Sequence, residues 1–187
     1  NAQQFMADVT DPNRTLLGAE QRLWLQNKLA TSSGRWQVQG QQVVMGRMDL
    51  PAELLLGIAT GNVSELPQAL AELATIKFRA LQGDPTLTEQ ELSRISTAAP
   101  YNLDAWDGYQ AEREVVLGMA RQLDKNLVVL AGDTHNAWAN NLKDMNGNQV
   151  GVEFATASVS SPGLEDYLGL PDALIADAEQ GIGLLVD

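Results

Sequence analysis

The chain has no cysteine. Disulfides, thiolate metal sites and cysteine nucleophiles are therefore excluded within its 187 residues. Imidazole is almost as scarce, because His135 is the only histidine. Cations are few: 12 Lys and Arg stand against 24 Asp and Glu, for a formal net charge of −12 and a pI of about 4.4. A surface of that sign repels nucleic acid and anionic membranes, so nucleic acid is not an expected partner. A small anionic substrate would need a locally positive site, for instance a metal ion. No apolar run approaches the roughly 20 residues of a membrane helix, so no membrane span is expected. The start Asn1-Ala2-Gln3-Gln4-Phe5 carries neither a basic n-region nor an apolar h-region, and no targeting signal is visible.

What is present is an ordinary apolar content of 44%, in a length that suits one unit with a real core. Helices alternate with strands, the pattern of an α/β fold. Thr15 is positioned to cap a helix through about Ser32, with Leu17, Trp24, Leu25 and Leu29 along one face. Trp36–Val38 and Gln42–Met45 read as a strand bent at Gly40. Residues 48–100 read as a helical insertion within a single unit spanning 1–187. It contains a helix near Ala52–Ile58, a longer one from Ser64 to Gln82, and a Thr88/Glu91 capping box. Asp107 is placed to cap a helix over 109–123. Asn146-Gly147 marks a hairpin into a strand at Val150–Ala155. A helix near 165–178 and a strand at Ile182–Val186 are expected to close the chain.

Chemistry concentrates between Asn126 and Lys143. Leu127–Ala131 is an uninterrupted apolar run, as in a parallel strand buried on both faces. Gly132 breaks it, Asp133-Thr134-His135 follow, and the pattern turns helical from about Asn136. A carboxylate and an imidazole thus sit at a strand's C-terminal end, where open α/β sheets place ligands. The pair suits Zn, Mn or Fe. It equally suits an acid–base pair in which Asp133 orients His135 as a base without any metal. The plainer alternative makes Asp133 a helix cap and His135 a half-buried first-turn residue. Ser158, Ser160 and Ser161 form no nucleophile-elbow pattern.

Gly132-Asp133-Thr134-His135 resembles the GDxH segment of the PhoD-type alkaline phosphatases, a branch of the metallophosphoesterases. Leu17-Gly18-Ala19-Glu20-Gln21 with Trp24-Leu25 resembles that family's LGxEQ…WL helix. Asp104-Ala105-Trp106-Asp107-Gly108-Tyr109 is similar to its D-x-W-D-G-Y segment. Trp36-Gln37-Val38, Gly151-Val152-Glu153-Phe154 and Ser158–Gly163 resemble the neighbouring strands and loop. The resemblance implies part of an α/β/β/α sandwich with a helical insertion. It also implies hydrolysis of small phosphate mono- or diesters, with Asp133 and His135 as metal ligands and catalytic residues. The implied cofactors are divalent or trivalent metal ions drawn from Fe, Ca, Zn and Mn. An extracytoplasmic location goes with the resemblance.

The family's earlier ligand motifs do not occur in this sequence. The chain is therefore expected to be the C-terminal part of such an enzyme, inactive alone, with unpaired sheet edges that favour self-association. Five residues are candidate substrate contacts. Asn136 and Trp138 follow the motif, Trp106 and Asp107 lie in the aromatic–acidic loop, and Arg47 follows a strand end. Each has a plainer alternative: a solvent-facing turn residue, a packed indole, or a surface ion pair. The competing functional class is a non-catalytic α/β module that binds a partner.

Overall fold

A computed structural model describes residues 2–163, 166 and 171–186. In chain order it holds α1 (Ala2–Val9), α2 (Gly18–Thr31), β1 (Trp36–Gly40), β2 (Asp49–Pro51), α3 (Ala52–Thr60), α4 (Leu66–Leu81), α5 (Glu89–Ser96) and β3 (Ala98–Pro100). There follow α6 (Gln110–Gln122), β4 (Asn126–Ala131), β5 (Trp138–Lys143), β6 (Gln149–Ala155) and α7 (Asp172–Leu185). Short 3-10 turns cover Val63–Glu65 and Trp106–Tyr109. The fold is α/β, and the chain divides into two compact units, Asn1–Gly46 with Asn102–Ser161 and Arg47–Tyr101 with Pro162–Asp187.

The first unit is built on a four-stranded sheet of order β1-β4-β6-β5. β1, β4 and β6 run parallel, and β5 returns antiparallel to β6. The apolar run of β4 is central, as expected, but it is not buried on both faces. Leu127, Val129 and Ala131 point into the core, while Leu130 is 46% exposed. Strand geometry sends successive side chains to opposite faces, and helices cover only one of them. On the covered face Val116, Leu117 and Ala120 of α6 pack with Leu127, Val129, Leu142, Met45 and Trp106. Leu17 and Leu25 pack at the edge of the same cluster. The open face aligns Val38, Val128 and Val152 in register, with Leu130 beside Phe154.

Several local expectations are corrected. Thr15 does not cap α2; the cap position is Leu17, which makes no side-chain capping bond. The amides of Leu16 and Leu17 instead donate to the buried Glu112 carboxylate, at 2.6 and 2.9 Å. A carboxylate from another helix satisfies donors that a local cap would have taken. Trp24 is largely exposed, with the Lys28 ammonium 6.0 Å from its ring. Asp107 does not cap α6 either, because it lies inside the 3-10 turn and α6 starts at Gln110 without a side-chain cap.

The strand expected at Gln42–Met45 is a loop. Gln41 still donates to the Leu130 carbonyl (2.9 Å), but the next bond runs from Gly132 to the Gln42 carbonyl (3.0 Å), and the chain then leaves the sheet. The helix expected from Asn136 is β5. Its alternation turns Leu142 and Asn140 inward, and the Asp144–Asn148 turn, with Gly147 at φ 79°, pairs it with β6.

In the second unit β2 and β3 form a two-stranded antiparallel ladder. The Leu66, Leu70 and Leu73 face of α4 packs with Leu50, Leu54, Ala178 and Leu185. The Thr88/Glu91 capping box forms as the sequence indicates. The strand expected at Ile182–Val186 is not one, because Ile182–Leu185 lie within α7. Of the helix expected near 165–178, residues 165 and 167–170 lie outside the described residues; 172–178 are helical. Among the described residues, no helix is long and apolar enough to cross a membrane.

Candidate functional site

The parallel register brings the C-terminal ends of β1, β4 and β6 to one edge of the first unit's sheet. Three loops leave from that edge: residues 41–46, the turn 132–137, and residues 156–161. Their backbones are tied together. Gly132 donates to the Gln42 carbonyl, Thr156 to the Ala131 carbonyl (3.0 Å), and Ser158 to the His135 carbonyl (3.1 Å). Within the turn, Thr134 donates its amide to the Gly132 carbonyl (2.9 Å) and its hydroxyl to the Asn136 carbonyl (3.1 Å).

This turn is strained at both candidate ligands. Asp133 has φ 71° and His135 has φ 62°. A side chain bearing Cβ generally reaches the left-handed region at a cost of about 1–2 kcal/mol, less for Asp and His, which enter it more readily than other side chains. These two residues, with Thr134 between them, are held by the surrounding hydrogen bonds of Thr134 and Ser158. Backbone strain of this kind concentrates at functional sites, so the observation points from geometry toward function. Of the plainer alternative, the helix cap fails, because β5 and not a helix follows Asp133, whereas His135 is half-buried as that alternative had it.

Asp133 is exposed, and His135, Asn136 and Trp138 are half-buried, with Trp138 opening β5. The Asn102 side-chain amide approaches the Asp133 carboxylate at 3.5 Å, the long limit of a hydrogen bond. Asn102 is held in turn by accepting the Asp104 amide at 2.9 Å. It was not among the candidates. Its one signal in the sequence is its position just ahead of the Asp104–Tyr109 segment. In the third loop, Ser158 Oγ accepts the amides of Ser160 (3.3 Å) and Ser161 (2.8 Å), so the small residues there shape a tight turn.

The remaining candidates stand elsewhere. Trp106 and Asp107 are 0% and 2% exposed, inside the core of the first unit rather than on a rim. The Trp106 indole donates to Gln41 Oε1 at 3.0 Å. Gly108 admits no side chain, since a Cβ there would run into the Leu103 carbonyl. Arg47 belongs to the second unit and is ion-paired to Asp49 at 2.7 Å.

A carboxylate oxygen and an imidazole nitrogen are apt donors for a borderline or hard metal ion. They do not make a closed site by themselves. Among the described residues, no three His, Asp or Glu side chains gather closely enough to hold an ion.

A mixed α/β sheet with a Gly-Asp-Thr-His turn on its C-terminal edge agrees with what sequence comparison finds, and the chain belongs to the PhoD-like phosphatase family, which it matches over residues 1–182. It is 30% identical over 159 residues to alkaline phosphatase D of Bacillus subtilis (strain 168), covering 82% of this chain and 20% of that protein. A solved structure of PhoD superposes with a TM-score of 0.55 at 29% identity, covering 83% of this chain and 22% of the other. The chain thus spans about a fifth of the length of these relatives.

Proposed function

We propose that this chain supplies one wall of the active site of a metal-dependent phosphoester hydrolase. The observation that carries the reading is the pair of left-handed residues, Asp133 and His135, on the C-terminal sheet edge of a PhoD-like phosphatase family member. Asp133 offers a carboxylate oxygen and His135 an imidazole nitrogen as two metal ligands. When bound, the metal supplies an activated water and positive charge for the phosphoryl oxygens. A surface of charge −12 otherwise lacks that positive charge.

The chain's own contribution is positional. The Ser158 amide fixes the His135 carbonyl, and the Gln42 carbonyl fixes Gly132, so the turn between them has little freedom. Asn136 and Trp138 flank the turn as substrate contacts. Trp106 and Asp107 support the loops from the core. Arg47, already engaged by Asp49, is the weakest of the contact candidates.

About four donors complete a Zn site, about six a Mn or Fe site and about six to eight a Ca site. Asp133 and His135 supply two, so the other ligands come from outside the described residues and the isolated chain is inactive. An extracytoplasmic location belongs to the same reading and rests on family resemblance alone; cell fractionation tests it. The open sheet face, with Trp36, Val38, Leu130 and Phe154 each at least 46% exposed, favours self-association of the isolated chain. Sedimentation of the chain alone measures that.

His135→Ala and Asp133→Ala in the complete enzyme test the central claim. Hydrolysis of p-nitrophenyl phosphate and its bis-ester should drop by about 100-fold or more, with metal content falling in parallel. Activity and metal unchanged in both variants would leave the non-catalytic module as the better reading. Activity that survives chelation but not His135→Ala would point to His135 as a metal-free base. Stoichiometric metal and robust turnover by the isolated chain would sink the partial-site claim.

A further inference from the structure

A cleft of about 610 Å³ opens in the first unit between α2 and the segment Gln39–Val43, with Trp106 at its floor. That volume is in the range of small-molecule sites. None of its lining residues is ionisable, although 19% of the chain is charged. A bare phosphate would find no counter-charge among those lining residues. The lining instead pairs apolar side chains with four amides, Gln21, Gln39, Gln41 and Gln42.

Those amides are not equivalent. Gln41 is fully committed: Oε1 accepts from the Trp106 indole and from Gln39 Nε2, both at 3.0 Å, and Nε2 donates to the Val43 carbonyl at 3.0 Å. Gln39 Oε1 is buried without a hydrogen-bond partner. The side-chain amides of Gln21 and Gln42 make no hydrogen bond to another described residue. The indole of Trp24, 56% exposed, stands on the same wall. An exposed ring beside uncommitted amides, in a lining that holds no ionisable residue, with the Lys28 ammonium 6.0 Å from the ring centroid, matches a flat, neutral ligand with donors and acceptors along its edge. Gln pairs two adjacent edge groups of an adenine-like ring, and indole stacks on its face.

The cleft is also joined to the candidate site. Gln42 lines it and accepts the Gly132 amide with its carbonyl, one residue before Asp133. We propose that the cleft binds the uncharged, ring-bearing substituent of the phosphoester, of the nucleobase class, stacked on Trp24 with its edge on Gln21 and Gln42. The role as a substrate subsite rests on the phosphoesterase reading; the binding itself does not.

Adenosine is the probe, because it carries the ring and no phosphate. Titration into this chain without metal, followed by calorimetry and amide chemical shifts, should give saturable binding with shifts centred on α2 and residues 39–43. Trp24→Ala should weaken it at least tenfold, whereas Trp24→Phe, which keeps a stacking face, should retain most of it. Gln21→Leu with Gln42→Leu should weaken adenosine more than benzene-ring analogues that lack edge groups. His135→Ala should leave binding unchanged. Absence of saturable binding at millimolar adenosine overturns the proposal, as does undiminished binding in Trp24→Ala. If adenosine binds and the His135→Ala enzyme keeps its hydrolysis and metal, the placing of the active-site wall on this chain fails while the cleft stands. The converse pair of results removes the cleft alone.

Discussion

The carboxylate of Glu153 accepts the backbone amide of Met45 at 2.6 Å, across 108 residues of sequence. Its second oxygen accepts from Gly46 (2.7 Å) and from the Asn140 side chain (3.0 Å). Glu153 is 0% exposed. One buried anion thus anchors the loop that, through Gln42, holds Gly132 at the root of the candidate site. Arg113 grips the same loop by donating to the Met45 carbonyl at 2.7 Å.

Glu153→Ala strands two backbone donors and one side-chain amide in the interior. The expected loss is about 3 kcal/mol or more, since an unsatisfied buried donor costs about 1–3 kcal/mol. Glu153→Gln keeps an acceptor oxygen and should lose less. Urea unfolding followed by tryptophan fluorescence measures both, because Trp24, Trp36, Trp106 and Trp138 all lie in the first unit. A Glu153→Ala midpoint equal to that of the parent chain would show that the loop is held without it.

The left-handed turn predicts a trade between stability and function. Glycine adopts φ 71° without the steric cost that Asp133 bears there. Among the described residues its carboxylate meets one donor, the Asn102 side-chain amide, at the 3.5 Å limit. Asp133→Gly should therefore stabilise the first unit by about 0.5–1 kcal/mol, after allowing for glycine's greater freedom in the unfolded chain. In the complete enzyme it should abolish hydrolysis. Destabilisation in the fluorescence assay would mean that the turn is not strained.

What the sequence made legible follows how local each signal is. Gly132 ending an apolar run put the candidate turn at a parallel-strand end, because that depends on a few neighbouring residues. The Thr88/Glu91 box was legible for the same reason. The segment from Asn136 was misread as helix because its strand identity comes from pairing with β6 across the hairpin. Thr15 and Asp107 were misread as caps because the donors in question are satisfied by Glu112, or lie within a 3-10 turn. Long-range carboxylates such as Glu112 and Glu153 leave no periodic trace. Nor could spacing reveal that Leu130 and Phe154 face away from the helices, since a continuous apolar run hides which side is covered.

Acid should loosen the second unit at a defined place. The Asp84 carboxyl is held down to about 2 from an ordinary 3.8, first by the Thr86 hydroxyl, then by the Thr86 amide and Arg79. A depressed carboxyl contributes stability that is fully present above its unfolded value. That contribution is lost as pH falls from about 4 through about 2. Hydrogen exchange at Gly83–Thr88 should accelerate across this window, and Asp84→Asn should flatten the dependence. An unchanged profile in the variant would place the transition on other carboxylates.

The Asp104–Tyr109 segment carries a last prediction that separates packing from catalysis. Trp106 and Asp107 are buried, and Gly108 lies so close to Leu103 that an added Cβ meets backbone rather than a movable side chain. The Arg14 guanidinium also closes over this turn, donating to the Gly108 carbonyl at 2.6 Å and lying 4.7 Å from the Tyr109 ring centroid. Gly108→Ala should cost about 3 kcal/mol, the upper end of overpacking penalties, because the turn cannot give way. Arg14→Ala removes one bond and one ring contact at a half-buried position and should cost about 1–2 kcal/mol. Both losses should appear in tryptophan-monitored unfolding of the metal-free chain. A Gly108→Ala chain of parental stability that nonetheless loses activity in the complete enzyme would return this segment to the substrate-contacting rim.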